Sequence, residues 1–136
     1  MSTRAPRKRP SKARAMRRAS SIAIKRAYDN PSPQDGLRIL VDRLWPRGVA
    51  KSKLKLDAWP RDLTPSTGLR KWYGHAPARF AEFRRRYQAE LAEHRDQLKG
   101  LRAMVSGRPA TLITATRELD LSHAEVLRRL LQRKKK

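Results

Sequence analysis

After the aliphatic run in RILVDRLWPRG, residues 38 to 48, come Asp42, Arg43, Trp45 and Arg47. Arginine presents a planar fork of donors that matches phosphate or carboxylate. Trp45 can stack on a flat ligand or shield a pocket from water. Asp42 can orient an arginine from another segment, or take a proton from a substrate within hydrogen-bond reach. A second set follows the last apolar run: Thr116 and Arg117, then Ser122 and His123. If Ser122 caps a helix, His123 sits in its first turn, where the helix dipole favours a neutral imidazole suited to hydrogen bonding or acid/base work. Arg26 and Tyr28 end an earlier apolar segment, and Ser66 and Thr67 precede Arg70 and Lys71. The sharp reading assigns proton transfer to Asp42 and His123. It assigns ligand contact to Arg26, Tyr28, Arg43, Trp45, Arg47, Ser66, Lys71 and Arg117. The plain reading makes Trp45 a core plug, Pro46 a turn former, Ser66 an ordinary helix cap, Trp72 core, His123 a surface histidine and the charges structural ion pairs.

These side chains need elements to carry them. Ile22 to Ala27 reads as a first strand, followed by a loop broken by Pro31, Pro33 and Asp35-Gly36. LRILVDRL, Leu37 to Leu44, reads as a second, with near-continuous aliphatics to Val41 as in a strand buried on both faces. On such a strand Asp42 and Arg43 would lead to opposite faces. Leu54, Leu56 and Ala58 alternate, which allows a short third strand. Ser66 or Thr67 starts a short helix that Gly74 ends. Pro77 opens a longer helix whose stripe is Phe80, Phe83, Tyr87, Leu91 and Leu98, with Glu82 and Arg86 paired on the other side. The stripe continues through Leu101 and Val105, which predicts a bend at Gly100 before Gly107 closes the helix. PATLITAT reads as a strand. Ser122 and Glu125 then read as a capping box for a last helix with Ala124, Leu127, Leu130 and Leu131 on its apolar face.

The order strand, strand, helices, strand, helix predicts one compact α/β domain with a small, mostly parallel sheet flanked by helices. The last two strands run parallel across a helical crossover. In such sheets ligands bind beyond the carboxyl ends of the strands. There the arginines would converge beside a helix amino end, whose free N–H groups favour anions.

The 136 residues carry 34 Lys and Arg against 12 Asp and Glu, a formal net charge of +22, which predicts attraction to polyanions. Residues 1–21 form a basic arm without an acidic residue, expected to be disordered; residues 22–131 form the domain; residues 132–136 are a basic tail. The arm's Arg, Ser and Ala content also resembles a transit peptide, and the alternative is a nucleic-acid tail. No cysteine is present, which excludes disulfides, thiolate nucleophiles and cysteine-ligated zinc and suits the cytoplasm. No apolar run approaches the length of a membrane span. His75 lies beside a helix break and His94 on the apolar stripe. No metal or cofactor motif is found, so neither is expected.

The segments IKRAYD, DGLRILVDRLWPRG, LDAW, TPSTGLRKWYGH and TLITATRE, in this order, resemble the YeaO-like family within domain of unknown function 488. The resemblance covers about Ile22 to Leu131 and implies a compact α/β protein, mostly bacterial and cytoplasmic, with no settled activity. It adds Arg70, Trp72 and Arg79 to the polar set typical of the family. Family members commonly show Tyr-Ala-Ala where this chain has Thr114-Ala115-Thr116, and His-Asn where it has Leu121-Ser122. Wider relatives carry a cysteine near this strand end. The expectation is an anion-binding pocket for phosphate, nucleotide or carboxylate at the strand ends, with enzymatic activity left open. The alternative is nonspecific nucleic-acid binding through the basic arm.

Overall fold

The computed structural model describes residues 22–132. The expected basic arm over residues 1–21, and the tail beyond Gln132, lie outside the described residues. Three strands form one sheet: β1 (Ile22–Arg26), β2 (Leu37–Leu40) and β3 (Ala110–Thr114), in the order β1-β3-β2. Both pairings are parallel, with Ile22 opposite Ala110 and Leu37 opposite Ala110 in register. The crossover expected between the last two strands is therefore present, and β1 joins the far side of the same central strand. Every residue of β3 is buried, which suits its lack of charged residues, and its two threonines find partners, Thr111 at the Asp35 carbonyl and Thr114 at the Asp42 carboxylate.

Among the described residues five α-helices accompany the sheet: α1 (Lys51–Leu54), α2 (Thr67–Tyr73), α3 (Phe80–Ala92), α4 (Arg95–Val105) and α5 (His123–Gln132). Strand alternation divides the core into two parts. Ile22, Ile39, Val41, Ala110 and Leu112 pack with Leu69, Phe83, Tyr87, Leu101 and Leu127 from the helices. Leu40 and Ile113 instead meet Val49 and Leu54, with Trp45, Leu56 and Trp59 over them. Helices thus cover one face, and the segment from Trp45 to Trp59 covers the other. Full burial of a side chain such as Leu112 or Leu127 contributes about 1.5–3 kcal/mol. On the loop-covered face Arg38 is nearly buried, held by Asp35 at 2.5 Å and by the Leu54 carbonyl at 2.8 Å. The first arginine of the RILVDRLWPRG stretch is therefore a structural ion-pair member.

Helix ends follow their caps. Ser66 accepts from the Leu69 N–H at 3.2 Å, and Gly74 ends α2 at φ 53°. Pro77 opens a 3-10 turn that runs directly into α3. Glu82 binds Arg86 at 2.8 Å, as expected, and also Arg85.

Four local expectations are corrected. The second strand stops at Leu40 instead of Leu44, because the chain leaves extended geometry after Val41 donates to Ile113 at 3.0 Å. The alternating Leu54, Leu56 and Ala58 form no strand: α1 ends at Leu54, Lys55 turns left-handed at φ 48°, and one parallel bridge joins Ile39 to Ala58. The helical bend falls at His94, with φ −119° and ψ 43°, while Gly100 lies inside α4. A helix tolerates glycine at a modest cost, so the residue type alone does not place a break. Only half of the last capping box forms. Ser122 accepts from the Glu125 N–H at 3.4 Å, but the Glu125 carboxylate turns to Arg128 and Arg129 at 2.8 and 2.7 Å. No helix among the described residues is long and apolar enough to cross a membrane.

Candidate functional site

A cavity of about 700 Å³ opens at the carboxyl ends of β2 and β3. Four segments supply its polar lining, and Phe83 of α3 adds an apolar wall. The segment after β2 supplies Asp42, Arg43, Leu44, Trp45 and Arg47, and the segment after β3 supplies Ala115, Thr116, Arg117 and Glu118. α2 contributes Arg70, Lys71 and Tyr73, with His75 just beyond it, and His123 begins α5. Asp42 and Arg43 line the same cavity although strand alternation would separate them. The reason is that β2 has already ended, so the period of two no longer applies.

Asp42 orients a histidine, not an arginine. His123 Nε2 lies 2.9 Å from Asp42 Oδ1. The Thr114 hydroxyl donates to Oδ1 at 2.7 Å, and the Ala115 N–H donates to Oδ2 at 2.8 Å. Burial pushes the Asp42 carboxyl up, but the His123, Ala115 and Thr114 contacts together outweigh it and hold the group below its ordinary value. An ionised Asp42 requires the shared proton on Nε2, which fixes the ring and leaves Nδ1 as the second nitrogen. The ring of Tyr87 lies edge-on, its centre 6.4 Å from that of His123. Burial raises the pKa of Tyr87, whose hydroxyl donates to the Leu63 carbonyl. Trp59 completes the support by donating Nε1–H to the Asp42 carbonyl at 2.7 Å.

Five cations line the cavity: Arg43, Arg47, Arg70, Lys71 and Arg117. Among the described residues none of them forms an ion pair with a carboxylate. Arg43 is held by neutral acceptors, the Pro65 and Thr64 carbonyls, both at 3.3 Å. Its position is fixed while its charge stays uncancelled. The lining carboxylates are Asp42, already engaged, and Glu118. Trp45 serves both readings: it walls the cavity and also belongs to the second core cluster. Its Nε1–H donates to the Val49 carbonyl at 2.6 Å, so only its ring remains for a ligand.

Three expected ligand contacts lie elsewhere. Ser66 donates to Glu90 at 2.6 Å and caps α2, and it faces a smaller hollow of about 150 Å³. Arg26 reaches the Ala115 carbonyl at 3.5 Å, behind the cavity wall. Tyr28 stacks on Arg26 at 5.2 Å and donates to the Arg47 carbonyl at 3.4 Å. Both brace the wall from outside, because β1 pairs on the side of β3 away from β2. Conversely, Arg70, Tyr73, His75 and Glu118 line the cavity beyond the ligand contacts that the sequence predicts. Arg70 was readable as a neighbour of Lys71 on one helical turn. His75 was not, since its place depends on two successive left-handed residues, Gly74 at φ 53° and His75 at φ 57°. No cluster of three or more acidic or histidine side chains placed to hold a metal ion occurs among the described residues.

Residues 21–136 match a family model described as the inactive DUF488-N3 subclade. The uncharacterized protein YeaO of Escherichia coli (strain K12) is 45% identical over 107 residues, which cover 79% of this chain and 93% of that protein. The uncharacterized protein Rv3073c of Mycobacterium tuberculosis is 43% identical over 116 residues, covering 85% of this chain and 98% of that one. No solved structure gives a significant match.

Proposed function

The chain belongs to the DUF488 family, in the subclade described as inactive, and from that premise we propose that its strand-end cavity binds a small anion without turning it over. A phosphate, a nucleotide or a carboxylate is the ligand class. The observation that carries this reading is the set of five cations on one concave surface, free of carboxylate partners among the described residues. Arg43 and Arg117 supply donor forks, Arg47, Arg70 and Lys71 add charge at the rim, and the Trp45 ring offers a flat wall.

The polar pair at the base supports binding over catalysis. Both Asp42 oxygens are occupied, so its role is to hold His123. With Nε2–H committed to Asp42, the neutral His123 ring keeps Nδ1 as an acceptor for a ligand hydroxyl, and it donates to an anion through Nδ1 only in its protonated form. No cysteine is available as a nucleophile, and the description of the subclade agrees. The cysteine-free composition also suits the cytoplasm.

Thermal unfolding of the full chain tests the reading, with inorganic phosphate, mononucleotides and dicarboxylates as probes. A ligand at a hundred times its Kd stabilises the native state by about 2.7 kcal/mol. Arg117→Ala and Arg43→Ala should each remove most of that shift. Absence of any response, or a response that survives both substitutions, overturns the assignment.

A further inference from the structure

We propose that the cavity is the end of a longer track, and that the ligand of the track is single-stranded nucleic acid. The first subsite rests on the cavity reading above. The rest of the track stands on separate residues.

Arg70 and Lys71 line the cavity, and the next residue of α2, Trp72, lies outside it. Two arginines from the following segment come down on the Trp72 ring. The Arg86 guanidinium is 4.3 Å from the ring centre and that of Arg79 is 5.3 Å away. Each has a second anchor. Arg79 Nη1 donates to the Trp72 carbonyl at 2.5 Å, and Arg86 Nε donates to Glu82 at 2.8 Å. Both side chains are nevertheless exposed. Two guanidinium planes are thus held ready on the surface, with donors left over. Glu82 is shared between Arg85 and Arg86, and Arg84 lies beside them in sequence, so positive charge prevails here as it does in the cavity.

Arginines over an aromatic ring, on a helix whose Arg70 and Lys71 line the cationic hollow, suit a strand of alternating phosphates and bases. Phosphate oxygens take the donor forks, and bases stack on the guanidinium planes. Ordering these side chains in advance lowers the entropy cost of binding. The cavity favours a single strand over a duplex. It is concave, about 700 Å³, and lined by Trp45, Tyr73 and Phe83 as well as cations, which fits one splayed nucleotide. This surface is built wholly from described residues of the domain.

The experiment measures fluorescence anisotropy of a labelled 5′-phosphorylated oligothymidylate of about twelve nucleotides, within the usual site sizes. The full chain is titrated over a range of KCl concentrations. The double variant R79A/R86A should lower the slope of log affinity against log salt by about 1.4, at roughly 0.7 per phosphate contact on a single strand. The thermal shift produced by a mononucleotide should stay unchanged. The control R95A/K99A removes the same charge from exposed positions on α4 and should leave the slope near that of the parent. Circular dichroism checks folding, and R79Q/R86Q replaces the alanine pair if that pair unfolds. An unchanged slope in R79A/R86A, or an equal loss in both pairs, overturns the track. A slope loss in R79A/R86A with no mononucleotide response overturns the cavity as its terminal subsite and leaves a surface site alone.

Discussion

Asp42→Asn separates the structural role of the carboxylate from its charge. Asp42 receives His123 and Thr114 on one oxygen and the Ala115 N–H on the other. An asparagine keeps one acceptor oxygen and presents an NH2 group to the remaining donor. If the oxygen stays with His123 and Thr114, the Ala115 N–H loses its partner, at a cost of about 1–3 kcal/mol. The bonds that persist change from charge-assisted to neutral and weaken by about half. The sum is about 3 kcal/mol at pH 7, or about 12 °C in Tm for a domain of this size. The pH dependence carries the sharper test. The Asp42 carboxyl is held below its ordinary 3.8 in the folded protein, so the unfolded chain takes up the proton first as pH falls. The stabilisation is therefore complete well above 3.8 and is lost as pH drops through the folded value. Urea unfolding of parent and variant at pH 7 and pH 3 should show the gap narrowing in acid. A variant within about 0.5 kcal/mol of the parent at pH 7, an ordinary surface effect, refutes the reasoning, as does a gap that stays constant down to pH 3.

Two further outcomes distinguish support from site. Ser66→Ala removes a helix cap and a bond to Glu90, so urea unfolding should show a loss of about 1–2 kcal/mol, while the anion-induced thermal shift remains intact. Gly36→Ala should abolish folding or cost more than about 3 kcal/mol by circular dichroism melts, because Gly36 sits at φ 64° and an added Cβ would fall on the Pro109 carbonyl.

Local chemistry made part of this molecule legible. The Ser66 cap, the Gly74 stop, the Pro77 entry and the buried β3 each depend on a few adjacent residues with one favoured conformation. The rim of arginines after β2 and β3 was readable for the same reason, once parallel pairing was assumed. What escaped depends on distance along the chain. Asp42 meets His123 across 81 positions and Thr114 across 72, and no spacing rule announces such a pair. A capping serine and a binding serine look alike in sequence; in the fold Ser66 caps α2 and donates to Glu90, 24 residues on. The sequence leaves strand order open, and only that order separates Arg26 and Tyr28 from the cavity. With β3 between β1 and β2, the end of β1 supports the wall instead of forming it. Lys55 and His75 adopt left-handed backbone without being glycine, so the turns they make could not be read from residue type.

The central position of β3 also governs synthesis. β1 and β2 have no pairing with each other; each finds its neighbour only in residues 110–114. Until the ribosome has released that segment, the nascent chain holds two apolar stretches that cannot close a sheet. Closure of the sheet, and of the hollow at its strand tips, therefore waits on residues 110–114, the one segment that pairs with both earlier strands.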